Sequence, residues 1–558
     1  MVRIFSNKGV SSMKHIQGAF RHLNVWALLS LLLILLIFIP NVLIAINLFT
    51  DPTENWEHIR QYLLKDYIYN TLLLVIFTAL TTMLIGTSLA WLIVNYQFPL
   101  RNFFKWGFIL PLAIPPYIGA YVYHGMLNYT GFIQVTLRDS FHIEVNQQYF
   151  NIMTIPGAIF IFTLFLYPYV YVITKGFLEK QSASLFENAR LLGGGPLLTF
   201  FRVVLPLSRS TIVGGVVLVV LEVLNDYGVV SYFGIQTFST AIFRTWYGMK
   251  DLDSALKLAG ILMVIVIAVL MLERLVRGKK RYSYSTANIR QIQPQPLRGY
   301  KKWLVFGYSL FIFSIAFIIP ILQLVSWATM TYRKVISDEF MTLIYNSIIV
   351  AGIASTIIII VSLIVGNYTR LHKGIIPGLS SRVITLGYSI PGAAIAIAII
   401  TLFIMIDGCL ESFSAMFNLD TAIVLRTTLV MLISAYIIRF MAVGYNAVEG
   451  GFEKIGSSFT EASRVLGMSS VKTFFKVDIP MLRGALLGGF ILVFVDILKE
   501  LPLTLFLQPF NFSTLATQAY RFASDEMVHE AALASILIVT ISAISIYVFH
   551  KVLDRDGS

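Results

Sequence analysis

Two pairs of carboxylates interrupt apolar stretches of the sequence at matching places. Glu222 and Asp226 are the only charges in one such stretch, and Asp496 and Glu500 follow at the same spacing 274 residues later. Residues four apart on a helix differ by about 40° around its axis, so each pair shares a face. Because hard metal cations prefer oxygen ligands, four such acids converging between two helices would suit the passage of a hard cation, and all four are candidate metal ligands.

The same acids also have a purely structural interpretation. Lys499 lies beside the second pair and could neutralise either member, and Arg426 or Arg439 could neutralise the others. Asn225 replaces the lysine in the first pair. A misplaced boundary of the apolar stretch would instead move the acids out of the membrane. The sequence leaves these readings open.

Membrane-spanning helices must position these acids. Of the 558 residues, 57% are hydrophobic and 13% are charged, whereas roughly 25% of residues are charged in a soluble globular protein. A helix needs about 20 apolar residues to cross a bilayer, because backbone groups in lipid must be satisfied internally. The composition therefore predicts an all-α membrane protein with about twelve transmembrane helices. The predicted spans are 25–49, 68–95, 106–127, 152–175, 212–235, 255–273, 303–328, 343–367, 382–406, 421–446, 485–507 and 531–552.

Loop charge predicts how these spans are oriented. Lys and Arg accumulate in the N-terminal segment, in the turns 96–105 and 368–382, and in the linker 273–302, which has nine basic residues and one acid. Basic loops face the cytoplasm, so both termini are predicted to be cytoplasmic. These loops also explain the formal charge of +13 without a nucleic-acid partner. The loops predicted to face outward are 50–67, 128–151, 236–254, 407–420 and 508–530.

The sequence repeats itself on either side of the linker. "YNTLLL" at Tyr69 matches "YNSIIV" at Tyr345, "AIPP" matches "SIPG", and "FST" at Phe238 matches "FST" at Phe512. An even number of spans per half predicts two parallel six-helix repeats related by an axis along the membrane normal, with a pore or cavity between them. The predicted segments are an N-terminal segment with the first transmembrane helix (1–65), the first repeat (66–272), a cytoplasmic linker (273–302), the seventh transmembrane helix with an outer loop (303–341), the second repeat (342–548) and a tail (549–558).

A polar segment also occurs twice, as "ENARLLGGGPLLTFFRVVLPLSR" from Glu187 and as "EASRVLGMSSVKTFFKVDIPMLR" from Glu461. Each copy contains a helix, a break at glycine and a second stretch that ends at proline. An exposed amphipathic helix of this kind could dock into a groove on a partner. It could equally lie on the inner leaflet as an interfacial helix, and helix character alone does not separate the two.

The spacing within this segment resembles the EAA motif of ABC importer permeases. The matching residues are Glu187, Ala189, Gly193, Leu205 and Pro206 in the first copy, and Glu461, Ala462, Gly467, Ile479 and Pro480 in the second. The sequence departs from the motif at Asn188 and Ser463. The resemblance implies the type I ABC importer permease fold. It also implies that both segments are coupling helices, which fit a cleft of the ATP-binding subunit.

The chain is not expected to hydrolyse ATP itself. A phosphate-binding loop needs the pattern G-x-x-x-x-G-K-[ST], and the nearest sequence, "GMSSVKT" from Gly467, has Val471 at the position of the second glycine. The sequence therefore predicts a transport subunit rather than an enzyme, without a cofactor of its own. The resemblance implies that two copies of a separate ATPase subunit bind ATP and Mg²⁺.

The stretches that follow the polar segments carry a narrower resemblance. "LNDYGVVSYFGIQTFSTAIFRTWYGMKD" from Leu224 and "DILKELPLTLFLQPFNFSTLATQAYRFASDE" from Asp496 resemble the fused permeases of ferric-iron importers of the FbpB type. This implies transport of ferric iron, delivered by an extracytoplasmic ferric-binding protein, across the inner membrane of a bacterium. Permeases for thiamine, phosphonate, putrescine and sulfate share the EAA plan and remain alternatives. A gradient-driven secondary transporter with two parallel repeats is a further alternative of a different class.

Overall fold

The computed structural model describes residues 25–143, 145–181, 195–277, 292–372, 374–387, 390–417, 424–456 and 458–556. Within these ranges the chain is mostly helical, in agreement with the predicted all-α membrane architecture. The strands described there are β1 (Tyr96–Gln97) and β2 (Gln295–Pro296), which pair in parallel.

The helices fall into two successive sets. Those before the linker are α1 (Val25–Asn47), α2 (Glu54–Asn95), α3 (Arg101–Gly107), α4 (Pro116–Leu127), α5 (Phe132–Phe141), α6 (Ile155–Glu179), α7 (Phe200–Asn225), α8 (Gly228–Tyr232), α9 (Phe238–Tyr247) and α10 (Leu252–Arg277). Those after it are α11 (Tyr300–Val335), α12 (Asp338–Leu371), α13 (Ile375–Gly387), α14 (Gly392–Met416), α15 (Leu429–Ile455), α16 (Ser458–Val465), α17 (Ser470–Met481), α18 (Arg483–Leu498), α19 (Pro502–Leu507), α20 (Leu515–Ser524) and α21 (Val528–Asp556).

Ten helices among the described residues are long and apolar enough to cross a membrane, or eleven if α17 and α18, which bend by 71°, form one broken span. The predicted span at 106–127 is not a continuous helix. It consists of the end of α3, a short 3-10 turn and α4. The prolines Pro111, Pro115 and Pro116 explain the breaks, because proline has no amide N–H to continue the helical hydrogen bonding.

Three other predicted spans are only partly covered by a single continuous helix. The span 212–235 stops being continuous at Asn225, where α7 gives way to the short helix α8. The span 485–507 is likewise divided between α18 and α19. The span 421–446 is helical only from Leu429, so Arg426 precedes the helix. In each case a break in the helix brings charged side chains close to a helix end, where free backbone groups need partners.

The two halves interlock through their outer helices. The first helix, α1, packs on α12 and α14 of the second half, and α11 packs on α3 and α4 of the first half. The helix α10 also packs on α14, and α21 packs on α4. One apolar core therefore joins Phe108 and Tyr171 with Trp327, and another joins Ile44 with Tyr436. Separating the halves would expose both cores.

The repeat is visible in matching hydrogen bonds. The side-chain amide of Asn70 donates to the carbonyl oxygen of Gln236 at 2.9 Å, and that of Asn346 donates to the carbonyl of Ser513 at 3.2 Å. The "YNTLLL" and "YNSIIV" segments that contain these asparagines hold equivalent positions in the two halves. Each anchors the loop that precedes a short outer helix, α9 or α20.

The predicted match between the two "FST" triplets is wrong. Phe238 is the first residue of α9, whereas Phe512 lies three residues before α20. The equivalent residues are the N-caps Thr237 and Thr514, each of which forms a capping box with a second threonine three positions later. The loop before α20 is longer than the loop before α9, so the capping geometry, and not the local identity of three residues, sets the register.

Contacts between loops agree with the predicted sides of the membrane. On one side, β1 and β2 join the 96–105 turn to the end of the linker. On the other side, the Thr53 hydroxyl donates to Asp251 at 2.9 Å, and the Lys257 ammonium donates to the carbonyl of Thr50 at 2.5 Å. Loops that were predicted to share a side are thus in contact with each other.

Asp251 accepts several of the hydrogen bonds that join the loops at Thr53 and Asp251, so its replacement should weaken this contact. Burial alone would raise the pKa of Asp251, but hydrogen bonds from Ser254, Asn55 and Thr53 lower it below its usual value. We expect Asp251→Asn to destabilise the folded chain at neutral pH by about 1 kcal/mol, the net contribution typical of an intramolecular hydrogen bond. Because the folded-state pKa is depressed, this stabilisation is present above the unfolded-state pKa and is lost as pH falls through the folded-state pKa.

Thermal unfolding of the purified chain at pH 7 and pH 3 measures this effect. The matched control is Asp253→Asn, because within the described ranges Asp253 accepts one long side-chain hydrogen bond, of 3.4 Å, from Asn47. The assignment would be contradicted if Asp251→Asn lowered the stability no more than Asp253→Asn does. It would also be contradicted if the loss of stability in Asp251→Asn were the same at pH 3 as at pH 7.

Candidate functional site

The transmembrane helices α7 and α18 both stop within the molecule, and a carboxylate caps the short helix that follows each of them. Asp226 Oδ1 accepts the backbone N–H of Val229 at 2.9 Å, at the start of α8. Glu500 Oε1 accepts the backbone N–H of Leu503 at 3.1 Å, at the start of α19. The second acid of each pair therefore satisfies backbone donors that the helix break leaves free, and its negative charge lies at the positive end of a helix.

All four predicted acids line one cavity between the two halves. Its volume is about 840 Å³, including the part that is open to solvent. The lining also includes the "AIPP" prolines and residues that the sequence did not single out, among them Tyr169 of α6. The polar and charged side chains of the lining are Tyr117, Tyr169, Glu222, Asn225, Asp226, Arg439, Asp496, Lys499 and Glu500.

Three of the acids have side-chain partners in addition to the caps. Lys499 Nζ lies 2.9 Å from Asp496 Oδ1, and Arg439 Nε lies 3.6 Å from Glu500 Oε2. A side-chain hydrogen bond joins Tyr169 and Glu222. The structural and the functional interpretations of the acids are therefore compatible, because the same carboxylates pair with bases and line the cavity. Arg426 is not part of this group, since it pairs with Asp407 at 3.7 Å.

The arginine reaches its carboxylate because a glycine makes room for it. A Cβ atom on Gly392 would lie 3.1 Å from Nη1 of Arg439 and 3.5 Å from Oε1 of Glu500. Gly392 belongs to the "SIPG" motif, which the sequence marked as a repeat of "AIPP" without showing its purpose. The motif therefore carried a signal for the site, but only the packing of α14 on α15 and α19 reveals it.

The cavity carries more negative than positive charge. Its lining contains four carboxylates and two basic groups, Arg439 and Lys499, which leaves a formal charge of −2. Charges at membrane depth are costly, and they face a cavity or one another. A cavity with such a surplus attracts cations and repels anions.

The acids do not form a preformed metal site in this conformation. Across the described residues, no group of three or more His, Cys, Asp and Glu side chains is close enough to hold a metal ion. The caps direct Asp226 and Glu500 toward backbone amides, and Lys499 draws Asp496 to one side. The predicted metal ligands thus share a cavity without meeting at one point.

Two polar groups in the lining are notable for their burial, and the sequence reasoning missed one of them, the hydroxyl of Tyr117. The hydroxyl of Tyr117 and Oδ1 of Asn225 are buried and have no hydrogen-bond partner within the described part of the chain. Both residues are 4% exposed. An unpaired buried polar group costs about 1–3 kcal/mol, so both groups would gain from a polar or charged species in the cavity.

The two polar segments differ in how much of them is described. Glu187, Ala189 and Gly193 of the first copy lie outside the described residues. Pro206 of that copy lies in α7, directly after a wider helical turn at Phe200–Val204. The wider turn accommodates proline, which cannot donate the regular helical hydrogen bond.

The second polar segment forms α16, a glycine turn and α17. Glu461 and Ala462 are exposed on α16. Gly467 has φ +84°, a left-handed conformation that glycine adopts without strain, and it ends the helix. Pro480 is exposed in α17, again directly after a wider turn. Ser463, which departs from the EAA motif, shares a hydrogen bond of 2.8 Å with Thr473 and so ties α16 to α17.

A buried ion pair attaches this segment to the transmembrane helices. Asp478 accepts hydrogen bonds from Arg370 at 3.0 Å and from the Thr460 hydroxyl at 2.8 Å. The guanidinium of Arg370 also lies 4.2 Å from the ring centroid of Phe452. The segment is thus held by this ion pair and by Phe474, which is buried against Phe452, while several other apolar side chains face outward. These exposed side chains are Phe459, Val465, Leu466, Val471 and Phe475.

Comparison with known proteins identifies the two repeats. The family model for the binding-protein-dependent transport system inner membrane component matches the chain twice, over residues 82–273 and 358–556. The two matches include both polar segments and both pairs of carboxylates.

Several relatives match nearly the whole chain. The chain is 25% identical over 529 residues to the Fe(3+)-transport system permease protein FbpB 2 of Haemophilus influenzae, covering 93% of this chain and 97% of that protein. It is 24% identical to the ferric transport system permease protein FbpB of Actinobacillus pleuropneumoniae, covering 94% and 77%. The spermidine/putrescine transport system permease protein PotB of Escherichia coli is 24% identical over 214 residues, which are 36% of this chain. On the strength of the two family matches, the chain belongs to the family of binding-protein-dependent transport system inner membrane components.

Proposed function

We propose that this chain is the fused permease subunit of an ATP-driven importer that carries ferric iron across the inner membrane. The cavity between the halves carries the proposal, because it brings together carboxylates from both repeats and has a surplus of negative charge. A hard trivalent cation prefers oxygen ligands of this kind. The full-length relatives whose names specify ferric iron support the same substrate.

The absence of a preformed chelate among the described residues fits transport better than storage. A conduction path must bind its ion well enough to admit it and weakly enough to release it. Separate carboxylates along a cavity offer successive weak contacts. Movement of α8 and α19 relative to α7 and α18 would change the distances between the acids during a transport cycle.

The energy would come from partner subunits. Two copies of an ATPase subunit, with ATP and Mg²⁺, would dock on the two polar segments from the cytoplasm, the side that also holds both termini. An extracytoplasmic ferric-binding protein would deliver iron on the other side. ATP binding would draw the two segments together and expose the cavity outward, and hydrolysis would return it inward.

The acids of the cavity give a direct test of the path. We expect Glu222→Gln to lower ⁵⁵Fe uptake per folded complex by at least about tenfold, because the amide removes a charge that offsets the dehydration of the cation. Asp226→Asn and Glu500→Gln should also lower yield, since these residues cap helices. Asp496→Asn should have an intermediate effect, because Lys499 already offsets its charge.

Uptake is measured in cells that express the whole transporter and is normalised to purified complex. The matched control is Glu57→Gln, which removes an exposed carboxylate paired with Arg60 far from the cavity. Unchanged uptake per complex in all four cavity variants would contradict the iron path. If the wild type takes up putrescine or spermidine but not ⁵⁵Fe, the substrate is a different cation.

The second polar segment gives a test of ATPase docking. We expect the double variant Val465→Ser, Leu466→Ser to fold normally, because these side chains are 87% and 83% exposed. It should nevertheless lose most of the ATPase subunit on co-purification, since exposed apolar side chains supply much of the energy of helix-in-groove docking. Replacing Phe510, which is 93% exposed on the other side of the membrane, by Ser is the matched control.

Wild-type recovery of the ATPase with the double variant would exclude docking through these two side chains. If the double variant keeps the ATPase but its polar segment no longer binds the membrane, the interfacial-helix alternative is supported.

Transport should also require the partners. We expect the purified chain alone in liposomes to accumulate no Fe³⁺ under a proton or sodium gradient, because in the proposed cycle the energy comes from ATP bound by the partner subunits. Gradient-driven uptake by the chain alone would establish the secondary-transporter alternative. The same liposomes with ATPase, ATP and loaded binding protein are the positive control.

A further inference from the structure

Lys499 is placed among several carboxylates of the cavity. It ends α18, and its ammonium forms an ion pair with Asp496 at 2.9 Å. It also interacts electrostatically with Glu222 of the other half and with Glu500. One positive charge on a long side chain is therefore paired with one carboxylate and attracted by two others.

The other base of the cavity is held differently. The side chain of Arg439 is 8% exposed, donates to the carbonyl oxygen of Ile390 at 3.4 Å and is wedged against Gly392. The side chain of Lys499 is 25% exposed and faces the cavity. A lysine ammonium is a compact charge on a flexible four-carbon stem, whereas a guanidinium is rigid and planar. Arg439 is thus fixed to one carboxylate, while Lys499 is free to change its position within the acid cluster.

The first half has no base at the equivalent position. Asn225 takes the place of Lys499, and its Oδ1 is buried without a hydrogen-bond partner in the described ranges. The hydroxyl of Tyr117, also in the lining, is buried and unpaired there as well. The cavity wall therefore presents, in addition to the acids, polar atoms that its own side chains do not satisfy.

We propose that Lys499 is a tethered counter-cation: it offsets part of the charge of the acid cluster when no metal is bound, and an incoming multivalent metal cation displaces it. This inference rests on the proposed passage of a cation through the cavity. With the ammonium in place the formal charge of the empty cavity is −2, and without it the charge would be −3, so Lys499 limits the uncompensated charge between transport events. Return of the ammonium competes with the metal and promotes its release. Lys499 is therefore a residue that sets affinity and release rate, and it does not bind the metal itself.

The test measures binding of Tb³⁺, a hard trivalent cation, to the full-length chain in complex with its ATPase. Luminescence sensitised by the cavity tyrosines reports occupancy. We expect Lys499→Asn to bind Tb³⁺ at least about tenfold more tightly than the wild type, a change of about 1.4 kcal/mol. Asparagine is the residue that the first half has at this position. Lys499→Arg keeps the charge and should bind within about twofold of the wild type, as expected for a change well below 1.4 kcal/mol.

The reciprocal variant, Asn225→Lys, adds a second ammonium and should weaken Tb³⁺ binding. It keeps the inference testable if Lys499→Asn folds poorly. Glu222→Gln in the Lys499→Asn background should abolish the tight signal, which separates the cavity from other acidic sites. Equal Tb³⁺ affinity of Lys499→Asn and wild type, or equal gains in Lys499→Asn and Lys499→Arg, would overturn the inference.

Iron uptake by the wild-type complex separates this inference from the proposed function. If the wild type takes up ⁵⁵Fe but Lys499→Asn does not change Tb³⁺ affinity, the counter-cation role fails and the iron importer stands. If Lys499→Asn binds Tb³⁺ more tightly but the wild type takes up no ⁵⁵Fe, the counter-cation role stands and ferric iron is not the substrate.

Discussion

Two transmembrane helices stop inside the apolar part of this molecule, and that break is the constraint on which the rest of the site depends. A helix end within a membrane leaves backbone amides that neither water nor lipid satisfies. Asp226 and Glu500 solve this by accepting N–H groups of the helices that restart, α8 and α19. Because the caps are carboxylates, they bring negative charge to the interior of the molecule, and the bases Arg439 and Lys499 compensate part of it. The same breaks separate the helices enough to leave the cavity that these side chains line.

The two halves follow one plan but differ in their charges. The caps and the asparagine-to-loop hydrogen bonds occur in both halves. The described ion pairs Arg439–Glu500, Lys499–Asp496 and Arg370–Asp478 are all built from second-half residues. The first half has Val204 in the place of Asp478, counted by the offset of 274 between the polar segments. The second half thus supplies both positive charges of the cavity, while the first half contributes acids, an asparagine and tyrosines.

Interlocking of the halves makes the cavity a shared structure. α1 and α10 pack on the second half, and α11 and α21 pack on the first. Each apolar core then includes side chains from both repeats. A movement of one half relative to the other must shear these cores. The buried Arg370–Asp478 pair attaches α17 firmly to α12 in the second half, because breaking a buried pair leaves an uncompensated charge.

The sequence by itself determined the membrane class, the two repeats, the polar segments with their glycine and proline, and the spacing of the four acids. These features depend on composition and on residues close together in the chain, where helical periodicity fixes which side chains share a face. Only the tertiary structure decided that Asp226 and Glu500 cap helices, that Arg439 and not Arg426 reaches Glu500, and that Gly392 makes room for it. It also showed that the 106–127 stretch is broken and that Thr237, not the "FST" triplet, marks the repeat. Such outcomes depend on how helices distant in sequence pack against each other, and a small shift in register between two helices changes which charges meet.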